Sequence, residues 1–285
     1  MQMSDYKIQF KIDGQVVTEE QIHDVELSRY HKVFKEFGEK QIPLQMNGQE
    51  YKVEDALEMS LEEAKELLAQ SKEAVGKQGM LDYYKDELLR ADHMWEDIAD
   101  RADDSKPMKQ AIVEVETENI SLIQFMLFNM SLAKENDLYL PSKIHPEHYY
   151  FEAGKGGTQT IVETFGMYKD PSYLHLVPGK GVARPIKPDA DTDMVMIGKT
   201  LLAHNMKDTK IIGMHQFKGK QNGLHVKLGV FLPASAPDEI LEGHKWHLMV
   251  EFNNGLHIAK DKKPNWWQKL ILPLAVKKMA KEFEE

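Results

Sequence analysis

His244–Leu256 reads HKWHLMVEFNNGL, a hydrophobic stretch with His247 and Glu251 four residues apart. On a strand these two side chains would share a face but stand about 13 Å apart, too far to meet at one ion. On a helix they are neighbours, at roughly 5–6 Å between Cβ atoms. Pro237-Asp238-Glu239 just upstream places acidic residues in a first turn, which predicts a helix from about Asp238. Asn253-Asn254-Gly255 is its weak point. The helix ends there or continues at a cost of about 1 kcal/mol for the glycine. A buried carboxylate and a buried imidazole both need partners, and a metal ion would satisfy the two together. A surface His–Glu contact is the plain alternative.

Upstream of this helix the pattern is that of strands. AIVEVE reads as a strand and SLIQFMLFNMSLAKEN as an apolar helix. HYYFE, TQTIVETFG, TDMVMIGKTLLAHN, TKIIGMHQFKG and LHVKLGVFLP then alternate, mostly separated by Gly, Asn, Asp and Pro. Strands followed by a long C-terminal helix predict an α+β fold in which a curved antiparallel sheet wraps on the helix and can enclose a cavity. Near Ser105-Lys106-Pro107 the texture changes. Residues 1–104 are strongly charged and mostly helical in pattern. They open with a hairpin (YKIQFKI, Asp13-Gly14, QVV) and contain the capping box Ser60–Glu63 and a helix candidate in MLDYYKDELLRADHMWEDIADRADD. They are expected to form an N-terminal extension that packs on the main domain, residues 105–285, or on a partner subunit in a homodimer.

The chain has 285 residues, a formal net charge of −10 and no cysteine. Disulfides, thiolate metal sites and a cysteine nucleophile are excluded, and a reducing cytoplasm is expected. The acidic balance argues against a nucleic-acid partner. No run of about 18 apolar residues is present, and MQMSDYKIQFKIDG has no secretory pattern, so neither a membrane span nor a leader is expected. The tail NWWQKLILPLAVKKMAKEF, with Trp266-Trp267, suits a membrane interface in composition. Pro273 and the negative overall charge favour a docked terminal helix instead.

Strand alternation identifies which polar residues face inward. Ile161, Glu163 and Phe165 share one face of TIVETFG. Ile211, Gly213, His215 and Phe217 share one face of KIIGMHQFKG, whereas His225 alternates away from its apolar neighbours. Glu163 and His215 are therefore expected inside. IHPEHYYF adds His145 and His148 just before a strand. One histidine from a strand start, Glu163 from mid-strand, and His247 with Glu251 from a helix would make a two-His, two-Glu site. Its nitrogen and oxygen donors suit zinc, with Fe, Mn and Co as alternatives. Tyr149, Tyr150 and Tyr173 are candidates either for hydrogen bonds to a ligand or for aromatic packing. GKGG at 154–157 lacks phosphate-loop spacing and reads as a turn.

HPEHYYF, TIVETFG, IIGMHQFKGKQNGLHVKLGVFLP and HLMVEFNNGL, in that order across roughly residues 107–260, resemble the diacetylphloroglucinol hydrolase and phloretin hydrolase family. The resemblance implies a Bet v 1-like helix-grip domain with an N-terminal extension. It implies cleavage of the carbon–carbon bond between an acyl group and a polyhydroxylated aromatic ring. It places one divalent metal, zinc by preference, on His148, Glu163, His247 and Glu251, with His145 as the alternative first ligand, and a general acid–base role on His215. The ligand would be a small aromatic ketone. The competing expectation is a non-catalytic protein that binds an apolar or aromatic small molecule in the same cavity.

Overall fold

The alternating KIQFKI forms β1 (Lys7–Ile12), and Asp13 and Gly14, both at positive φ, turn the chain back as β2 (Gln15–Val17). These are the first elements of a computed structural model that describes residues 6–179 and 181–284. Residues 1–5, part of the stretch read for a leader, lie outside it. Thr18 and Gln21 make a capping box at the start of α1 (Glu19–Glu39). A small hairpin, β3 (Leu44–Met46) and β4 (Gln49–Tyr51), leads to the short α2 (Val53–Leu57). Ser60 and Glu63 cap α3 (Leu61–Tyr83), as their spacing predicts, and Gly76 at φ 75° interrupts it. The predicted single helix over MLDYYKDELLRADHMWEDIADRADD is therefore divided between the end of α3 and α4 (Lys85–Asp100).

The chain then forms β5 (Lys109–Glu118), α5 (Leu122–Glu135) and α6 (Tyr139–Ile144). A six-stranded meander follows: β6 (His148–Ala153), β7 (Gln159–Glu163), β8 (Ser172–Pro178), β9 (Met194–Leu202), β10 (Asp208–Lys220) and β11 (Gly223–Leu232). α7 (Asp238–Ala259) and α8 (Trp266–Glu284) complete it. The sheet is antiparallel throughout, in the order β2-β1-β5-β11-β10-β9-β8-β7-β6. The α+β expectation holds. Alternation did not reveal the short hairpin β3–β4, nor, in the large sheet, β8, because Pro171 and Pro178-Gly179 punctuate SYLHLVP as though it were loop. No described helix is long and apolar enough to cross a membrane.

α7 does not stop at Asn253-Asn254-Gly255. It runs on to Ala259, and a Cβ on Gly255 would stand 3.0 Å from the Phe128 ring of α5. The glycine's cost in helix propensity is offset by that close approach. A glycine pair locks α7 to the turn after β7. A Cβ on Gly243 would fall 1.8 Å from the Gly166 carbonyl oxygen, and Gly166 itself has φ 65°. The 3-10 turn Phe165–Met167 therefore sits directly on α7, which fixes β7's end against the helix.

The division at residue 104 marks a change in texture and not a break in the fold. β1 pairs with β5 from Lys7↔Glu118 to Lys11↔Glu114, so the N-terminal hairpin extends the sheet. The N-terminal helices also share a core with the meander. Tyr30, Phe34 and Leu67 cluster with Tyr149, Tyr150 and Val162.

Candidate metal centre

β6, β7 and α7 each bring one donor to the same point. His148 Nε2 lies 3.2 Å from His247 Nε2, and Glu163 Oε2 lies 3.5 Å from the first and 3.6 Å from the second. Donors of a tetrahedral ion at about 2.0–2.2 Å stand roughly 3.3–3.6 Å from one another. The three atoms thus have the spacing of one face of a coordination tetrahedron. The orientation of His148 agrees. Its Nδ1 donates to the Pro141 carbonyl at 3.2 Å, which leaves the Nε2 lone pair free to bind a metal.

Glu251, one turn after His247 on α7, lines the same cavity floor. His145 stays close as well: its ring stacks on His247 at 3.9 Å between centroids, and ring nitrogens of His145, His148 and His247 lie within 4.8 Å of one another. The expected alternatives for the first ligand are therefore both present. His145 Nδ1 accepts the Glu147 N–H at 3.2 Å, so the neutral ring carries its proton on Nε2 and offers an ion no free lone pair while that bond stands, which favours His148 as the first ligand. Of the four buried ring nitrogens with no hydrogen-bond partner among the described residues, three belong to this cluster: His145 Nε2, His244 Nδ1 and His247 Nδ1. Buried polar atoms are nearly always satisfied, so this concentration sets the site apart from an ordinary core.

Burial dominates the electrostatics. It raises the Glu163 carboxyl well above the usual range, with the Glu251 and Glu147 charges adding to the shift, and raises Glu251 to about 7. It lowers His148 and His244 to about 3 and His247 and His145 well below the ordinary histidine value. Without a cation the cluster avoids charge, with its imidazoles neutral. A divalent ion would favour the ionised carboxylates and replace the His148–His247 contact with bonds to the two Nε2 atoms. The donor set fits a zinc-like ion.

The floor belongs to a cavity of about 280 Å³ between α7, α5 and strands β6 to β11. Ligand pockets run from roughly 300 to 1,000 Å³, so this one is at the small end. Phe125, Leu132, Ile161, Leu174, Ile211 and Val230 contribute apolar wall. Ile211, Gly213, His215 and Phe217 all line it, as the alternation of β10 predicts. The Gly229 N–H donates to His215 Nδ1 at 3.2 Å, so the proton of the neutral ring sits on Nε2. Burial lowers His215 to about 4, which holds it neutral near pH 7.

The three tyrosines divide. Tyr150 reaches the cavity and donates its hydroxyl to Glu152 at 2.7 Å. Tyr149 is fully buried and donates to Glu36 of α1, so it is a packing residue. Tyr173 stacks edge-on with Tyr150 and His204 and is not among the cavity-lining residues. GKGG forms a tight turn with Gly156 and Gly157 at positive φ. His244 was not singled out by sequence. It stacks between Phe165 at 4.1 Å and His247 at 5.2 Å, and its i, i+3 spacing from His247 on an apolar helix was the available signal.

No family model matches the chain, and the search of curated proteins finds no match. Among solved structures the chain is similar to the crystal structure of Ara h 8.0201, at 14% identity and a TM-score of 0.38, covering 54% of this chain and 99% of that one.

Proposed function

We propose that the chain takes an aromatic or apolar small molecule into the cavity, and that the cavity floor is a divalent-metal centre at which the acyl–aryl carbon–carbon bond of a hydroxylated aromatic ketone is hydrolysed. The observation that carries the reading is the 3.2–3.6 Å spacing of His148 Nε2, His247 Nε2 and Glu163 Oε2 at the base of an apolar pocket. A strand, two helices, a six-stranded meander and a long helix, in that order from β5 to α7, support the helix-grip assignment of Bet v 1-like kind.

His148, Glu163 and His247, with Glu251 beside them, would hold the ion. When bound it supplies Lewis-acid polarisation of a carbonyl or phenolic oxygen. The remaining work falls to the chain's own side chains. The apolar wall excludes bulk water and orients the ring. In the hydrolysis, water adds hydroxyl to the acyl carbon, the acyl–aryl bond breaks, and its electron pair takes a proton at the ring carbon. Ring hydroxyls make that carbon a tolerable leaving group through the keto tautomer. His215 carries a proton on Nε2 at the cavity wall. It hands this proton to the ring carbon and takes the water's proton in exchange.

The test is metal analysis of the purified protein followed by incubation of the metal-loaded chain with phloretin and acylphloroglucinols. One metal per chain and release of phloroglucinol are expected. His215→Ala should keep metal and fold and lose about 10²–10⁴-fold in turnover. The apolar wall equally favours binding without turnover, and saturable binding of these ketones with no product would select that reading. Undiminished turnover in His215→Ala would keep the hydrolase and discard the residue's role.

A further inference from the structure

The segment that carries His148 is held from behind by the N-terminal helices, and by charge. Lys72 of α3 is fully buried, and its ammonium donates to the Pro146 carbonyl and to the carbonyl of His148 itself, each at 2.6 Å. Glu147, between His145 and His148, has no exposed surface. Arg29 of α1 grips both of its carboxylate oxygens, with Nε at 2.7 Å from Oε2, and Lys32 adds a bond at 2.6 Å. Pro141, whose carbonyl sets the His148 ring, belongs to α6. There Tyr30 of α1 donates to Ser142 O at 3.0 Å, and Glu66 of α3 accepts from Tyr139 and Lys143.

The helix that carries His247 is tied to the same two elements. Asn254, two turns further along α7, donates to Glu26 of α1 at 2.6 Å and to Ile144 O at 2.9 Å, and accepts from Lys65 of α3 at 2.9 Å. One amide thus joins α7, α1, α3 and the end of α6. Apolar side chains could fill these positions without the desolvation that buried charges incur. Charge and direction at these places do what packing cannot: they fix particular carbonyls.

We propose that the N-terminal helices are the outer framework of the metal centre, with Lys72 and Arg29 as positioning residues that set the spacing of His148 from His247. The inference rests on the metal-centre reading of the cavity floor. Residues in this position act through the ligands they orient, and losing such support typically costs about 10–100-fold in metal affinity.

Full-length wild type and variants would be titrated with Co²⁺ and Zn²⁺ against a chelator, following the Co²⁺ visible spectrum, with the thermal transition of each metal-free protein measured alongside. Lys72→Met is expected to weaken both metals by at least tenfold and to alter the Co²⁺ spectrum. Arg29→Lys keeps the charge and loses the fork, so a smaller loss is expected. It serves as the readout if Lys72→Met does not fold. Leu67→Ala removes apolar packing from the same helix and leaves the Lys72 and Arg29 hydrogen bonds in place, and should lower the transition temperature at unchanged metal affinity. If Leu67→Ala weakens metal as much as the positioning variants, or if those variants bind like wild type, the inference is overturned. Wild type that binds neither metal would instead overturn the metal centre itself.

Discussion

Two buried polar clusters lie side by side in this protein and are completed differently. Behind the ligand loop nearly all the charges are answered within the chain: Glu147 by Arg29 and Lys32, Lys72 by two carbonyls, Lys65 by Glu26 and Asn254, with Glu26 Oε2 left over. On the cavity floor, a few residues away, three ring nitrogens go unanswered among the described residues and two carboxyls are raised by burial. Both clusters bear the cost of desolvation. A cluster that is closed within the chain fixes structure. One that is left open, beside a cavity and with donors at ligand spacing, is built for something the chain does not supply.

The comparison can be broken most directly by removing the closed cluster. A chain beginning at residue 105 loses β1 from the edge of β5, the Lys72 donor to Pro146 O and His148 O, and the Arg29 and Lys32 cations on Glu147. Tolerance of truncation follows the burial and bonding of what is cut. Residues 105–285 alone are therefore expected to show no cooperative thermal transition. A sharp calorimetric transition with retained metal binding would return the N-terminal part to the status of a separable extension.

A smaller effect is expected from Gly243→Ala. Alanine favours a helix by about 1 kcal/mol over glycine. Here its Cβ would stand 1.8 Å from a backbone oxygen, so α7 and the turn at Gly166 must move apart. Overpacking of this kind costs about 1–3 kcal/mol, and the clash should outweigh the propensity gain. Chemical denaturation would show it. Because the same turn follows Glu163, metal affinity should fall with stability. A stabilised variant would mean that the turn yields easily and does not fix Glu163.

The smallest effect concerns pH and sharpens the closed cluster. Burial raises Glu26 to about 7 against the pull of Lys65. Between about pH 4.5 and 7 the folded chain keeps a proton that the unfolded chain has released, so this group's contribution to stability falls as pH rises through that window. The loss is of order 1–3 kcal/mol. Glu26→Gln removes it, so the stability difference between variant and wild type should move in the variant's favour from pH 5 to pH 8. Equal differences at the two pH values would show that Lys65 and Asn254 hold Glu26 ionised throughout.

Much of the site was legible because sheet and helix periods are local. Period two placed Glu163 and His215 inward on TIVETFG and KIIGMHQFKG, and period 3.6 put His247 and Glu251 on one face of α7. Those inferences need only neighbours in the chain. Inward placement suggested the two-His, two-Glu site, and the resemblance chose His148 over His145 as its first ligand. β8 escaped because prolines at its borders carry the same letters as a loop.

What the sequence determined by itself is the type of most elements, the inward polar residues and the exclusion of thiol chemistry, since each depends on short-range spacing or on composition. What only the tertiary structure decided is which groups meet across long separations. Arg29 finds Glu147 across 118 positions, Lys72 reaches the His148 carbonyl across 76, and His148 meets His247 across 99. The sequence shows a lysine in a charged helix and cannot distinguish one that is solvated from one that is buried. That distinction arises when α1 and α3 pack on α6 and α7, because burial turns a charge that water would satisfy into one that must find a particular carbonyl or carboxylate.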